Sequence, residues 1–407
     1  MRRLARLLLP VLLLAATVFA AGPTPAAPAE DASWQAVVAR AKGQTVYWNA
    51  WAGSEATNDY IDWVSRQVAE RYGIHLRHVK ISNTAEAVAR ILAEKSAGKM
   101  RGGSVDLIWI NGENFLKMRE NGLLYGPFAD RLPNAKYLDY AEKPTMHFDF
   151  TVPVDGMESP WGAAQVVFLN DSRRLPDPPR SMPELLAWAK AHPGRFTHPQ
   201  VRNFMGSTFL KQALYELVED KSVLQKPATS GNFAKVTAPL WAWYDQLRPN
   251  LWRQGRQFPE NATAEDQLLA DGEVDMSLSF QPGEASNLIQ SGQLPDTVRT
   301  FVMRGGTIGN THFVAIPFNS SAKEAAMVVA DFLLSPEAQA RKQDPRVWGD
   351  YTVLSMKKLS PEQRALFTSL PRGVATLSPE ELGTPLPEPH PSWMNMIVAE
   401  WERRYGG

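Results

Sequence analysis

The most constraining feature of the sequence is an apolar run that ends in four polar or small residues. Residues 105–110 are apolar except for Asp106, which is typical of a strand buried on both faces in a sheet covered by helices. The run leads into Asn111-Gly112-Glu113-Asn114 and then into an apolar helix that begins at Phe115. In open α/β sheets such strand ends bind ligands, because helix amino ends direct unpaired N–H groups into the gap. The Asn-Gly step also predicts a turn, but a turn alone does not account for Glu113 and Asn114.

Strands and helices alternate on both sides of this run. Residues 45–50 and 75–82 predict two strands, and the helix between them ends at Gly73, a residue suited to a left-handed stop. Asn83 is placed to cap a second helix, which leads to the third strand at residues 105–110. Strand, helix, strand, helix, strand in succession predicts a parallel sheet in an α/β protein.

A proline-rich joint predicts a passage between two domains. Residues 124–160 predict irregular structure, and residues 161–170 predict a long strand followed by a proline cluster. A second domain then begins near Pro179. Its expected elements are a helix at 182–191, a short strand at 194–197, a helix opened by residues 206–208 that runs to Leu217, and a strand at 273–280. Strands at 297–303 and 312–317 predict the return crossing, and helices beginning near residues 322, 335 and 392 complete the chain.

The amino terminus predicts export. Arginines 2, 3 and 6 precede the apolar residues 7–14, and small residues follow, so residues 1–20 are expected to form a signal peptide cleaved before Ala21. The apolar core is shorter than the about 20 residues that a membrane span needs. Residues 21–43 are expected to form a leader and N-terminal segment.

The composition limits which cellular compartment and which classes of partner can be expected. The chain has no cysteine, which excludes disulfides, thiol chemistry and a lipid anchor on an amino-terminal cysteine, so a soluble periplasmic protein is expected. The 43 basic and 43 acidic residues balance, and removal of the signal with its three arginines leaves 40 basic residues. Nothing in this balance attracts nucleic acid or a membrane surface.

Several motifs resemble those of extracellular solute-binding proteins of ABC-type importers. They are residues 269–276 (LADGEVDM) and 332–339 (FLLSPEAQ), together with the crossing strand at 166–170 and the proline-rich joint after it. Residues 48–54 (WNAWAGS) and 206–212 (GSTFLKQ) are similar to a subgroup described as thiamine-transport binding proteins. There is no Tyr-Tyr pair of the kind that ferric-iron binders of this superfamily use.

The resemblance implies a two-domain periplasmic binding protein fold of type II, with mixed sheets flanked by helices and a ligand cleft between the domains. The expected plan is a first domain at 44–164, a second domain at 165–303, and a return to the first domain with C-terminal helices at 304–407. It also implies a monomer without a cofactor, which is no enzyme and which delivers its solute to a transmembrane permease with its ATPase.

Polar and aromatic residues at the predicted strand ends and helix starts are the candidate ligand contacts. They are Trp51, Ser54, Asn111, Glu113, Asn114, Trp161, Gly206, Ser207, Thr208, Phe280, Gln281 and Glu284. Structural roles remain open for several: Trp51 as a core residue, Ser54 as a helix cap, residues 206–208 as plain capping, and Trp161 as either a hinge aromatic or a cleft wall. His75 and His78 would lie on opposite faces of one strand, which argues against a metal site.

These residue types favour an organic cation as the ligand. Aromatic rings attract cations, Glu113 and Glu284 would neutralise the charge, and the amides would fix its orientation. Thiamine or a relative is the named candidate, and a neutral sugar-like or amino-acid-like solute is the alternative. Two other classes stay open, a secreted hydrolase that uses two carboxylates and a solute sensor domain. The chain has no G-x-S-x-G motif and no P-loop, and we expect no catalytic residues.

Overall fold

The structure is a computed structural model of the chain, and it describes residues 34–406. The expected signal peptide and residues 21–33 of the expected leader lie outside the described residues. The helices are α1 (Trp34–Ala41), α2 (Glu55–Tyr72), α3 (Thr84–Ser96), α4 (Glu113–Glu120), α5 (Met182–Ala191), α6 (Phe204–Leu217), α7 (Ser230–Leu247), α8 (Ala262–Ala270), α9 (Glu284–Gln290), α10 (Lys323–Leu333), α11 (Pro336–Gln343), α12 (Pro361–Thr368), α13 (Pro379–Leu382) and α14 (Pro391–Tyr405). The strands are β1 (Thr45–Trp51), β2 (His75–Ile81), β3 (Leu107–Ile110), β4 (Phe148–Asp149), β5 (Val152–Pro153), β6 (Glu158–Gln165), β7 (Val167–Asp171), β8 (Met276–Ser279), β9 (Val298–Phe301), β10 (Ile308–Ala315) and β11 (Leu386–Pro387).

The first lobe is built on a mixed six-stranded sheet. Its strand order is β11-β10-β3-β1-β2, and β6 pairs with the other edge of β10. β1 runs parallel to β2 and β3, as the alternation of strands and helices predicts, whereas β10 is antiparallel to β3 and β6. Ser54 caps α2 by accepting a hydrogen bond from the Thr57 N–H, and Gly73 ends that helix in the left-handed region.

The second lobe is built on a three-stranded antiparallel sheet with the order β8-β7-β9. Helices α5, α6, α7 and α14 contribute Leu185, Phe209, Leu240 and Trp393 to its main hydrophobic core, which is separate from the core of the first lobe. No helix in residues 34–406 has the length and apolar character needed to cross a bilayer.

The chain passes between the lobes three times within the described residues. The first passage is β6 into β7 through the fully buried Val166, and the second is β9 into β10. In the third, Phe367 packs in the first core while Ala375 and Leu382 pack beside β7 and α9 in the second lobe. α14 then packs on the second core.

Local differences from the expected elements have local causes. Residues 194–197 form no strand, because the Gly194 N–H bonds to Asn250 and the Arg195 carbonyl accepts from Asp275, so no continuous ladder forms. α4 begins at Glu113 rather than Phe115, since the sharp turn is completed by Gly112 at φ 62°. The patterns did not predict α7, which contains Pro239, α8, or the β4–β5 hairpin.

Candidate functional site between the two lobes

The loop after β3 is held by a buried carboxyl group. The Gly112 N–H lies 2.7 Å from both oxygens of Asp149, and burial raises the pKa of Asp149 to about 8. A Cβ atom at position 112 would lie 2.9 Å from the Phe150 ring. Gly112 therefore serves both the left-handed turn and the close approach of an aromatic side chain.

The side chains of this loop lie at the junction of the lobes. Burial raises the pKa of Glu113, while the charge of Lys211 and a hydrogen bond with Asn395 oppose that rise. Lys211 lies on α6 and Asn395 on α14, and both helices pack on the second core. The side chains of Asn111 and Asn114 are partly exposed and make no hydrogen bond within the described part of the chain. The loop that the sequence predicted as a ligand edge thus contacts the second lobe.

A cluster of aromatic rings lies beside the first crossing strand. Trp161 is fully buried, with its ring centroid 4.8 Å from that of Trp109, 5.3 Å from Trp48 and 5.5 Å from Trp348. Trp51 is partly exposed and meets Trp109 edge-on at 6.4 Å. Trp161 thus packs among rings where the chain leaves the first lobe, and Trp51 extends the cluster toward solvent.

The loop after β8 brings second-lobe side chains against the first lobe. The Trp348 Nε1–H donates to Gln281 Oε1 at 2.6 Å, and Gly283 lies against the backbone of Gly349. Phe280 is buried, and its ring centroid lies 5.4 Å from that of Phe204.

Glu284 carries an uncompensated carboxyl group at the start of α9. Its side chain is partly exposed and makes no hydrogen bond with any described residue, and the desolvation that remains raises its pKa to about 7. Burial, with the nearby Glu284 as a second cause, also raises the pKa of Asp266 to about 8. This side of the interface therefore holds acidic groups that lack a cation.

Residues 206–208 lie within α6 rather than at its opening. The helix begins at Phe204, where Asn203 caps it by accepting from the Met205 N–H. The expectation that Gly206 opens the helix is therefore wrong by two residues, because Asn203 is the better cap. Gly206 lies against the backbone carbonyls of residues 199 and 200, Ser207 Oγ donates to the Phe204 carbonyl, and the buried Thr208 hydroxyl has no partner among the described residues.

The sequence patterns missed a buried ion pair between the lobes. Lys211 Nζ donates to Glu388 Oε2 at 2.6 Å, and both side chains are about 2% exposed or less. The side-chain amide of Asn310, a residue near the start of β10, donates from Nδ2 to the other carboxyl oxygen of Glu388 at 3.3 Å. A lysine inside an otherwise apolar helix face was an available signal, since a fully buried lysine almost always has a partner. Its partner is 177 residues away, and no local pattern identifies it.

The described residues contain no group of three or more His, Cys, Asp or Glu side chains arranged to hold a metal ion.

Comparisons with known proteins identify the family. A profile of the bacterial extracellular solute-binding protein family matches residues 63–354. The chain is 46% identical over 373 residues to Protein YnjB of Escherichia coli strain K12, a match that covers 92% of this chain and 94% of that protein.

Solved structures share the fold at low sequence identity. The periplasmic binding protein AfuA of Actinobacillus pleuropneumoniae, with exogenous fructose-6-phosphate bound, matches with a TM-score of 0.62 at 14% identity over 89% of this chain and 99% of that chain. The Tp0655 (TpPotD) lipoprotein of Treponema pallidum matches at 0.66 and 12% identity over 89% and 100%. The spermidine/putrescine substrate-binding protein PotD of Streptococcus pneumoniae matches at 0.60 and 15% identity over 89% and 98%.

AfuA is described as a periplasmic binding protein and PotD as the substrate-binding protein of an ABC transporter, and the expected α/β fold of two-domain periplasmic binding proteins is confirmed. The profile match, the curated relative and the shared architecture agree, and the chain belongs to the bacterial extracellular solute-binding protein family.

Proposed function

We propose that this solute-binding protein captures an organic cation in the periplasm and delivers it to the permease and ATPase of an ABC-type importer. The single observation that carries the choice of ligand is the uncompensated Glu284 carboxyl group at the junction of the lobes. Thiamine or a relative remains the named candidate. Family membership favours transport over the hydrolase and sensor alternatives.

The charge balance beside the loop after β3 supports a cationic ligand. Glu158 is fully buried with no partner for either carboxyl oxygen among the described residues, and burial, reinforced by Asp149, raises its pKa well above the usual range. Glu113 and Glu388 add two more acidic groups, against the buried Lys211 and the more exposed Lys117 and Arg119. An added cation would lower the free energy of ionising these carboxyl groups, whereas an added anion would raise it.

Isothermal titration calorimetry against thiamine, polyamines, amino acids, sugars and oxyanions tests the proposal. We expect one class of organic cation to bind, and we expect Glu113→Gln and Glu284→Gln each to weaken that binding by roughly 2–5 kcal/mol, because the ligand charge is then left unpaired. Glu70→Gln is the matched control, since Glu70 is exposed on α2. Tight binding of an oxyanion that neither glutamine variant changes would refute the cation proposal.

A further inference from the structure

The surroundings of the Lys211 ammonium group are those of a binding site for an organic cation. Lys211 Nζ lies 4.8 Å from the centroid of the Phe150 ring and 5.2 Å from that of Phe204. Glu388 provides the carboxylate at 2.6 Å. Two aromatic faces and a desolvated carboxylate are the groups by which proteins recognise ammonium ions.

The backbone is strained where it presents one of these rings. Phe150 and Thr151 form the two-residue loop of the β4–β5 hairpin and have φ angles of 44° and 72°. Loops of this kind ordinarily carry Asn-Gly, and a β-branched residue in this region is a true outlier. Such strain persists where the surrounding structure enforces it, and it concentrates at ligand-binding sites.

The hydrogen-bonding groups around the Lys211 ammonium group are not all paired. An ammonium group has three N–H donors, and among the described residues Lys211 uses one, to Glu388. Two buried oxygens have no hydrogen-bond partner among the described residues: Asn310 Oδ1, on the side-chain amide that bonds to Glu388, and Thr151 Oγ1, on the residue that follows Phe150. This region therefore contains buried hydrogen-bond acceptors to which the Lys211 ammonium group does not bond.

We propose that Phe150, Phe204, Glu388 and Asn310 form a subsite for the ammonium group of the solute, which the protein's own Lys211 side chain fills in this structure. The inference rests on the proposed function and deepens it, since a cationic solute must then compete with an internal cation. The hairpin belongs to the first lobe, α6 belongs to the second, and Asn310 lies on the strand that joins them. The subsite is therefore complete only when the lobes are together.

The test removes the internal cation and offers a free one. Lys211→Ala opens the subsite, and Lys211→Met is the matched control because its thioether chain still fills the space. The thermal unfolding midpoint is measured in n-butylammonium chloride and in tetramethylammonium chloride, against potassium chloride at equal ionic strength. We expect a saturable rise of a few degrees for Lys211→Ala with one of the two ammonium ions, and none for the wild type or Lys211→Met.

The ammonium ion with the larger effect identifies the class of cation that the subsite accepts. The rise should disappear in the Lys211→Ala, Glu388→Gln double variant. An equal response to all three salts, or the same response in Lys211→Met, overturns the proposal. If Lys211→Ala does not fold alone, the same salts are added during refolding. Recovery only with an ammonium ion then supports the subsite, and failure or recovery with every salt overturns it.

This result is independent of the natural solute. If calorimetry finds no cationic ligand while Lys211→Ala still responds to ammonium ions, the proposed function fails, and with it the assignment of the subsite to the solute, while the ammonium-binding property of the site stands. If a cation binds but the variant does not respond, the subsite fails and the transport function stands.

Discussion

At the scale of single residues, the unpaired carboxyl group of Glu284 sets a stability cost that depends on pH. Burial raises its pKa from 4.5 to about 7 in the folded protein. The folded state therefore holds this proton more tightly than the unfolded chain does. Between these two values the unfolded chain releases the proton first, so the free energy of unfolding falls as pH rises.

We predict that the ligand-free protein loses stability from about pH 4.5 to about pH 7, with Glu284 contributing roughly 1–3 kcal/mol of the loss. Glu284→Gln should remove that part of the slope, and it should also lower the pKa of Asp266, whose proton Glu284 helps to retain. Urea unfolding at a series of pH values measures both effects. The same slope in wild type and variant would show that Glu284 is not desolvated.

At the scale of elements, α6 is positioned by close backbone packing at its first turn. A Cβ atom at Gly206 would overlap the carbonyl oxygens of Pro199 and Gln200. Since both neighbours are backbone atoms, neither can move without displacing its segment. This packing holds the helix that presents Phe204 and Lys211 toward the first lobe.

We predict that Gly206→Ala lowers the free energy of unfolding by about 1–3 kcal/mol, despite the better helix propensity of alanine. Gly305→Ala is the control, because a Cβ there meets no atom within 4 Å and its φ angle is not in the left-handed region. Urea denaturation of both variants measures the difference. Equal stability of the two variants would mean that the 199–200 segment adapts freely.

At the scale of the whole molecule, three passages join two separately packed cores. At the β8 end the lobes are joined by hydrogen bonds, since the Trp348 Nε1–H donates to Gln281 and the Asn287 amide donates to the Trp348 carbonyl. Rotation of the lobes about the crossing strands would break these bonds, which is the hinge motion known for binding proteins of this architecture.

We predict that the solute identified by calorimetry reduces the radius of gyration in small-angle scattering, because it links the two lobes across the cleft. Glu113→Gln at the same solute concentration should show a smaller fraction of the closed form. An unchanged wild-type radius at saturating solute would argue against a site between the lobes.

Much of the first lobe could be predicted from sequence because its signals are local. Gly73 ends α2 and Asn83 caps α3 as predicted, and Ser54, a candidate ligand contact whose capping role was left open, caps α2; each acts within one helix turn. The crossing strand at 161–170 corresponds to β6 and β7. The predicted ligand contacts remain predictions.

The parts of the candidate site that patterns missed depend on distant partners or on strain. Glu388 meets Lys211 only through the third passage of the chain, and Phe150 occupies a turn whose φ angles contradict its residue type. An amphipathic helix such as α14 shows that one face is buried, but not which of two cores buries it.

The third passage of the chain limits how far the two lobes can separate. Two adjacent strands act as a pivot, and a pivot alone leaves the angle of opening unrestrained. The segment between Phe367 and Ala375 is a separate tether, secured on the second lobe where Ser286 Oγ bonds to the Thr376 hydroxyl at 2.7 Å and to the Ala375 N–H at 3.0 Å. Its contour length limits the widest aperture of the cleft, so the largest solute that can enter depends on a strap that is fastened to α9 two residues after Glu284.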